Sequence, residues 1–544
     1  MKTKQTFLLF FYFSCCILHA AFPQAGEWVW IKGSNTPNQP GNFGTQGVAS
    51  PANNPPALYE ACEWTDLNGN FWLFGGNNDL GWVGDLWKYD PVTNEWTWMK
   101  GSGLVNDPGS YGVQGVPSAA NNPPARCLGI VSWSDASGNL WMFGGWGGGV
   151  SGYLNDLWRY SISTNEWTWM KGTQLPDQTG IYGTQGVADP ANNPGGRAES
   201  AAAWTDAAGD LWFFGGSGSQ NYVFNDLWRY TISSNQWTWM KGSQLVNQAG
   251  IYGTLGIEHP ANTPGARMVY SHWKDASGRF WLFAGGNYLS NFYFNDLWRY
   301  NPVSNNWTWI SGDSTINANG VYGTKCIAAA TNIPDARFEN RCAWTDQYGN
   351  FWFFGGGLSG SFSDTWSDLW MYCVSTGKWI WISGSDFTNP AGNWGTIGVS
   401  NPANIPDGRA GSPGWTDSNG HLYFFGGSTT NYNTPYNDLW KYTIDTACAA
   451  CPINTSAEET SSESGTIKIF PDPAGDYCEL LIGDFAWNEK AAISITDMSG
   501  KRIYLSEIAG PKLRIDLRNF SGGIYIIRIY IRNSIFQKKL VVNH

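Results

Sequence analysis

Residues 226–240 read Asp226-Leu227-Trp228-Arg229-Tyr230-Thr231-Ile232-Ser233-Ser234-Asn235-Gln236-Trp237-Thr238-Trp239-Met240. On either side of Ser233-Ser234-Asn235 large and polar side chains alternate at a period of two, which describes two short strands joined by a tight turn. Upstream, Leu211-Trp212-Phe213-Phe214 is another short aromatic strand, stopped by Gly215-Gly216. Ala198–Trp204 precedes it across the turn Thr205–Gly209. The unit is four strands, and no stretch of it carries a helical period.

The same unit recurs. Trp-x-Trp pairs begin at Trp28, Trp96, Trp167, Trp237, Trp307 and Trp379, and Asp-Leu-Trp begins at Asp85, Asp156, Asp226, Asp296, Asp368 and Asp438. An aromatic-Gly-Gly run follows Phe74, Phe143, Phe214, Phe354 and Phe425, relaxed to Phe283-Ala284-Gly285-Gly286 in the fourth copy. Six units of about 70 residues fill the chain from 27 to 446. Four-stranded units with large side chains on both faces are expected to pack face to face around an axis, an all-β six-bladed β-propeller. The last unit lacks a Trp-x-Trp strand after Asp438–Tyr442, while Glu27–Lys32 is a fourth strand with no unit before it. The N-terminal strand is therefore expected to complete the sixth blade and remove an exposed edge.

These units resemble the kelch-repeat β-propellers in the double glycine ending the second strand, the Trp/Tyr spacing of Asp226–Tyr230, the Trp about seven residues later, and Pro264-Gly265-Ala266-Arg267 opening the first strand. A kelch unit is about 50 residues. The excess here lies between the fourth strand and the next first strand, as in Gly242–Arg267, and is itself repeated: an aromatic-Gly pair at Phe43, Tyr111, Tyr182, Tyr252, Tyr322 and Trp394 precedes an Asn-x-Pro such as Asn262-Thr263-Pro264. That regularity predicts an ordered collar. On the same face, the loop between second and third strands differs in every copy, the place where specificity is expected to be written. These loops carry Trp82, Trp146, Tyr153, Tyr222, Phe224, Tyr288, Phe292, Tyr293, Trp366 and Tyr436, suited either to stacking on sugar rings and adaptable protein contact or to packing on the collar.

Arg126, Arg197, Arg267, Arg337 and Arg409 each open a first strand, with Ala57-Leu58 in their place in the first unit. Two readings stand: a cationic ring that clamps a carboxylate or sugar acid, or one arginine per blade tied to backbone carbonyls or a nearby Asp. Glu60, Glu199 and Glu339 fall on first strands and are candidate acid/base groups in a channel. The recurrent Asp-x-x-Gly at Asp66, Asp135, Asp206, Asp275, Asp346 and Asp417 reads as a hairpin turn. Kelch-like copper oxidases need two histidine ligands and a Tyr linked to a Cys. Only His259, His272 and His421 lie in the repeats, so no metal or other cofactor is expected.

The 544 residues include 34 Trp and 67 Gly with only 14% charged residues, against about 25% in typical domains, which excludes a disordered chain or coiled coil. A formal charge of −11 disfavours nucleic acid as a partner. Residues 1–25 place Lys2 and Lys4 before the apolar run Phe7–Leu18 and the small residues Ala20, Ala21 and Ala25, the pattern of a cleaved secretory signal. No later stretch approaches the roughly 20 apolar residues of an integral membrane span. Eight cysteines then remain, too few for a disulfide-stapled scaffold, and Cys448 and Cys451 are expected to bond to each other.

Residues 447–465 read as a Ser/Thr/Glu-rich linker after the propeller of 26–446. Residues 466–544 carry 11 Lys+Arg against 8 Asp+Glu in a chain otherwise acidic, and alternate as a small β-sandwich. This segment resembles the type A sorting domain of the type IX secretion system of Bacteroidetes-type bacteria, in Ile469-Phe470-Pro471-Asp472-Pro473, Ile495–Lys501, Ile515-Asp516-Leu517, Ser521–Tyr525 and Lys538–Val542. Asp472 stands where the family usually has Asn. The resemblance implies engagement of the type IX machinery through 466–544, passage across the outer membrane, and release or attachment at the outer cell surface. The function expected is an exported, non-catalytic binding module for a glycan or another surface protein. The rivals are a carbohydrate-active enzyme such as a sugar-acid mutarotase or epimerase, and a purely structural surface protein.

Overall fold

Trp237 and Trp239 project from one face of their strand and Thr238 and Met240 from the other, and both faces find a sheet to cover them. Trp237 shares a core with Trp133, Phe143 and Phe213, while Met240 packs against one that holds Phe280, Leu282 and Trp298. The computed structural model describes residues 25–200, 202–268, 271–287, 290–358, 364–429, 434–451, 467–470, 474–482, 491–497, 502–508, 510, 512–531 and 534–543. Tyr288, nearly all of the expected signal segment and most of the expected linker lie outside the described residues.

The protein is all-β. The first five sheets are four-stranded and antiparallel, with strands in chain order. They comprise Cys62–Thr65, Phe71–Phe74, Leu86–Asp90 and Glu95–Lys100; then Val131–Ser134, Leu140–Phe143, Leu157–Ser161 and Glu166–Lys171; then Ala203–Thr205, Leu211–Phe214, Leu227–Thr231 and Gln236–Lys241. The fourth holds Ser271–Lys274, Phe280–Phe283, Leu297–Asn301 and Asn306–Ser311, and the fifth Ala343–Thr345, Phe351–Phe354, Leu369–Cys373 and Lys378–Ser383. In the sixth, Gly414–Thr416, Leu422–Phe425 and Leu439–Tyr442 are joined by the N-terminal strand Trp28–Lys32, with Trp28 opposite Tyr442 and Trp30 opposite Trp440.

Consecutive sheets share apolar cores, and one such core joins Trp415, Tyr423 and Phe425 of the sixth sheet to Phe71, Leu73 and Trp87 of the first. The innermost strands touch in the same order, Gly414–Thr416 lying against Cys62–Thr65. Close approach explains the double glycines. Gly215 has φ +71°, and a Cβ there would stand 2.8 Å from the Arg267 carbonyl of the next repeat. The Asp-x-x-Gly turns are built by side chains: Asp206 Oδ1 accepts from the Ala208 and Asp210 amides and Oδ2 from the Trp212 indole. Each collar is pinned by an asparagine. Asn262 Nδ2 donates to the Trp307 carbonyl, and Asn404 donates to that of Trp28 in the N-terminal strand.

The expected Cys448–Cys451 bond is corrected. Cys448 is bonded to Cys326 and Cys451 to Cys373. The turn at Asp445–Ala449 delivers both cysteines to the fifth repeat: Cys448 enters the core shared by the fifth and sixth sheets, and Cys451 approaches Asn350. The start of the expected linker, 447–451, is thereby fastened to the repeats.

The chain divides into two compact units, up to Ile453 and from Asn454. In the second, Ile467–Phe470, Tyr477–Ile482 and Lys512–Asp516 form one antiparallel sheet, and Ala491–Asp497, Arg502–Ile508, Gly523–Ile531 and Ser534–Val542 another. Cys478, Leu480 and Ile515 of the first pack with Ile493, Ile495, Ile527 and Leu540 of the second.

Candidate functional site

The five arginines at the mouths of the first strands are fully buried and each is engaged within its own repeat. Arg197 donates from Nη1 to Asp226 Oδ1 at 2.7 Å and from Nη2 to Oδ2 at 3.0 Å, and its remaining hydrogens reach the Gly215 and Gly195 carbonyls. Arg126 clasps Asp156, Arg267 clasps Asp296 and Arg337 clasps Asp368 in the same way, whereas Arg409 reaches both Asp438 oxygens from Nη1 alone and its buried Nη2 has no hydrogen-bond partner. A collar tyrosine closes the cluster in four repeats, Tyr111, Tyr182, Tyr252 and Tyr322 donating to Asp156, Asp226, Asp296 and Asp368. The arrangement fixes collar to sheet and pairs each guanidinium with a carboxylate of its own repeat.

The variable loops place their aromatics in two groups. One group covers the arginines: Phe224 lies over Arg197 at 4.3 Å, Phe294 over Arg267 at 3.9 Å, Trp366 over Arg337 and Tyr436 over Arg409, both at 5.0 Å. Tyr293 is buried and stacked on Phe338. The other group stays at the surface of the first three loops, while half-buried Phe292 of the fourth packs against Phe294. Trp82 is half-buried and lies against Gly148 of the second loop, where a side chain would collide with the indole. Trp146 and Tyr153, both half-buried, pair across their hairpin with ring centres 4.8 Å apart. The Tyr153 phenol engages Ser217 of the third loop, and Tyr222 of that loop is 36% exposed.

Beneath this strip lies a cluster of carboxyls. Glu60, Glu199 and Glu339, all buried, occupy the equivalent position two residues beyond the arginine site, each in the left-handed backbone region with φ of 58°, 57° and 54°. Gly411, φ +68°, stands there in the sixth repeat. Backbone hydrogen bonds link these positions between sheets, from Gly411 to the Glu339 carbonyl, from Glu60 to that of Gly411 and from Glu199 to that of Leu128. Glu60 Oε2 also accepts from the Gly129 amide at 2.7 Å.

Arg341 of the fifth repeat crosses to this cluster. It donates from Nε to Glu63 Oε2 at 2.6 Å and from Nη2 to the Ile130 carbonyl, with Nη1 3.9 Å from Glu60 Oε2. Burial pushes the Glu60 carboxyl up to about 7 against the opposing pull of Arg341. Burial, with the nearby Glu60, holds Glu199 well above the carboxylate range. Burial and Arg341 press the His272 imidazole down to about 3. Glu60 Oε1, Glu199 Oε2 and Arg341 Nη1 have no hydrogen-bond partner.

Sequence reasoning singled out the three glutamates and missed Glu63 and Arg341. The available signal was the second arginine of Arg337-Phe338-Glu339-Asn340-Arg341, which breaks the repeat. Among the described residues no group of His, Cys, Asp or Glu is arranged to hold a metal ion. A polar cleft of about 580 Å³ lined by Lys32, Gln39, Asn42 and Asn53 lies on the collar, and smaller versions of about 320 and 280 Å³ recur at Lys100 and Lys171. It belongs to the repeat rather than to one site.

Residues 468–543 match the secretion system C-terminal sorting domain family. The match supports export by type IX secretion to the cell surface, and among the described residues no helix is long and apolar enough to cross a membrane. A stretch of 199 residues, 36% of this chain, is 28% identical to the multiple epidermal growth factor-like domains protein 8 of Homo sapiens. The same stretch is 27% identical to that protein of Rattus norvegicus and 28% to that of Mus musculus. The chain spans about 6% of the length of these relatives.

Proposed function

We propose that the first unit is a closed six-bladed kelch-like propeller, carried out of the cell by its C-terminal sorting domain, and that it is a non-catalytic binding module whose ligand is a glycan. The shared cores between consecutive sheets, the sixth with the first included, support closure. The observation that carries the binding role is the strip Trp82, Trp146, Tyr153 and Tyr222. Large rings left at the surface of neighbouring loops suit the faces of sugars, and they are rigid before the ligand arrives.

Trp146→Ala and Tyr222→Ala test the reading on a glycan array and in a melting experiment with the same protein. Loss of binding with Tm nearly unchanged is the expected result. A loss of roughly 3–5 kcal/mol of stability, as for a buried aromatic, would make these rings part of the core instead, and capture of a protein with no glycan bound would replace the ligand class. One observation favours an enzyme: Glu60, with its raised proton affinity, lies beside Arg341. Turnover of any bound sugar that disappears in Glu60→Gln would establish that reading.

A further inference from the structure

We propose that the clefts beside the first three collars form a second glycan site, a row that holds a linear neutral polysaccharide by its hydroxyls, with Lys32, Lys100 and Lys171 donating and Gln39, Asp107 and Gln178 accepting. The proposal takes its ligand class from the glycan-binding reading above and its place from other residues. The clefts are open at the surface, with volumes of about 580, 320 and 280 Å³, and hold Lys32 with Gln39, Lys100 with Asp107 and Lys171 with Gln178. Each is also lined by one residue of the preceding collar, Ile397, Gln46 and Gln114 in turn, so every cleft bridges two collars.

The hydrogen-bonding groups in these clefts are only partly used. Lys100 Nζ donates to the Ala119 carbonyl at 2.8 Å and Lys171 Nζ to that of Pro190 at 2.9 Å. An ammonium carries three hydrogens, and among the described residues neither lysine reaches a second acceptor. Gln178 Nε2 is fixed on the Pro176 carbonyl at 2.9 Å and Gln39 Nε2 on that of Pro37 at 3.1 Å, which leaves each Oε1 as an acceptor. Donor and acceptor in one cleft match a sugar hydroxyl, which accepts one hydrogen bond and donates another. Asp107 beside Lys100, in a chain of formal charge −11, turns a polyanion away.

The repeats supply their own control. The first four collars follow Lys32, Lys100, Lys171 and Lys241 at the ends of fourth strands, each with Gln or Asp seven residues on. The fifth and sixth follow Ser311 and Ser383, with Ala318 and Pro390 seven residues on. The residue after the pinning asparagine changes with them, from Asn54, Asn122, Asn193 and Thr263 to Ile333 and Ile405. Those two collars are pinned all the same, Asn332 donating to the Trp379 carbonyl and Asn404 to that of Trp28. Building a collar therefore does not require the lysine or its acceptor, and their joint loss marks a task confined to the other repeats. The aromatic strip lies on the same collars. The Asn106 amide, next to Asp107, donates to the Trp82 carbonyl, and the Asp177 amide, next to Gln178, to that of Tyr153, both at 2.7 Å.

Affinity gel electrophoresis of the full chain in dextran, mannan, laminarin and xylan, with polygalacturonate as the acidic control, tests the proposal. At least one neutral polymer is expected to retard the protein, its disaccharide competing at least tenfold more weakly on a molar basis because only a long chain reaches several clefts. Lys100→Ser combined with Lys171→Ser, the residue that precedes the fifth and sixth collars, is expected to weaken retention at least tenfold with Tm unchanged. Equal retention of parent and double variant, or a lowered Tm in the double variant, would overturn the proposal. Preference for polygalacturonate, equal competition by the disaccharide or retention in none of the neutral polymers would do the same. Loss of retention in Trp146→Ala with the double variant unaffected would remove the clefts and leave the aromatic strip standing. Loss in the double variant with Trp146→Ala unaffected would keep the clefts and remove the strip.

Discussion

Asp85 is the aspartate that lost its partner. In the other five repeats the Asp of Asp-Leu-Trp is clasped by an arginine. In the first, Leu58 stands at the arginine position and Phe43 replaces the collar tyrosine, so both donors are gone together. Asp85 Oδ1 still accepts from the Gly103 amide and the Trp98 indole, but Oδ2 has no partner, and burial pushes the carboxyl up to about 6. Because this folded value lies above the ordinary 3.8, the folded state holds the proton more tightly than the unfolded chain. The contribution to stability is full below about pH 4 and lost as pH rises through 6, a difference of about 3 kcal/mol at neutral pH. Asp85→Asn is therefore expected to flatten the stability curve between pH 4 and 6.5, measured by denaturant titration. Asp226→Asn, which leaves Arg197 buried without its counter-charge, is expected to lose about 3–5 kcal/mol at pH 7; equal behaviour of the two variants would refute the distinction.

At the scale of the element, what was legible was what repeats. The strands announced themselves because both faces of every sheet are covered, so each carries aromatics at alternate positions, and the missing strand of the sixth unit pointed to Trp28–Lys32, which the sheet does contain. Deleting residues 26–33 exposes the backbone edge of Leu439–Tyr442 and removes Trp28 from the core of Phe354 and Phe424, and should lower Tm sharply in a scanning calorimeter. The arginines were legible as a series, but their partners lie 29 to 31 residues downstream in another strand, and only the fold shows that the loop aromatics cap them. Arg341 was legible only as an arginine that breaks the repeat, and its partner Glu63, 278 residues away, was not legible. The cysteines misled for a related reason: spacing along the chain suggested a local pair, whereas the bonds close spans of 122 and 78 residues. Long spans constrain the unfolded chain strongly. Cys448→Ser and Cys451→Ser are each expected to cost about 2–4 kcal/mol, and reducing agent should lower the parent's Tm while leaving the double variant unmoved.

For the molecule as a whole, the chain is built as two compact units. The repeats bury their apolar surface in cores running from sheet to sheet, and the C-terminal residues bury theirs between two sheets of their own; the contacts within each unit define them as separate. The two disulfides reinforce the division, because Cys448 and Cys451 fasten the end of the repeats just before Ile453. Forces or proteases acting on the stretch beyond Cys451 would have to break covalent bonds before they could peel Leu439–Tyr442 from the sixth sheet. The sorting match at 468–543 points to the second unit as the part that engages type IX secretion. A chain ending at Cys451 should then melt at the same temperature as the repeats within the full protein, as read by tryptophan fluorescence, which reports almost wholly on the repeats since Trp487 is the one tryptophan beyond them. The same truncated chain, expressed in a host with type IX secretion, should accumulate inside the outer membrane while the full chain reaches the surface. Normal surface levels of the truncated form would sink the assignment of export to residues 468–543, and a lowered melting temperature would show that the repeats depend on the second unit to fold.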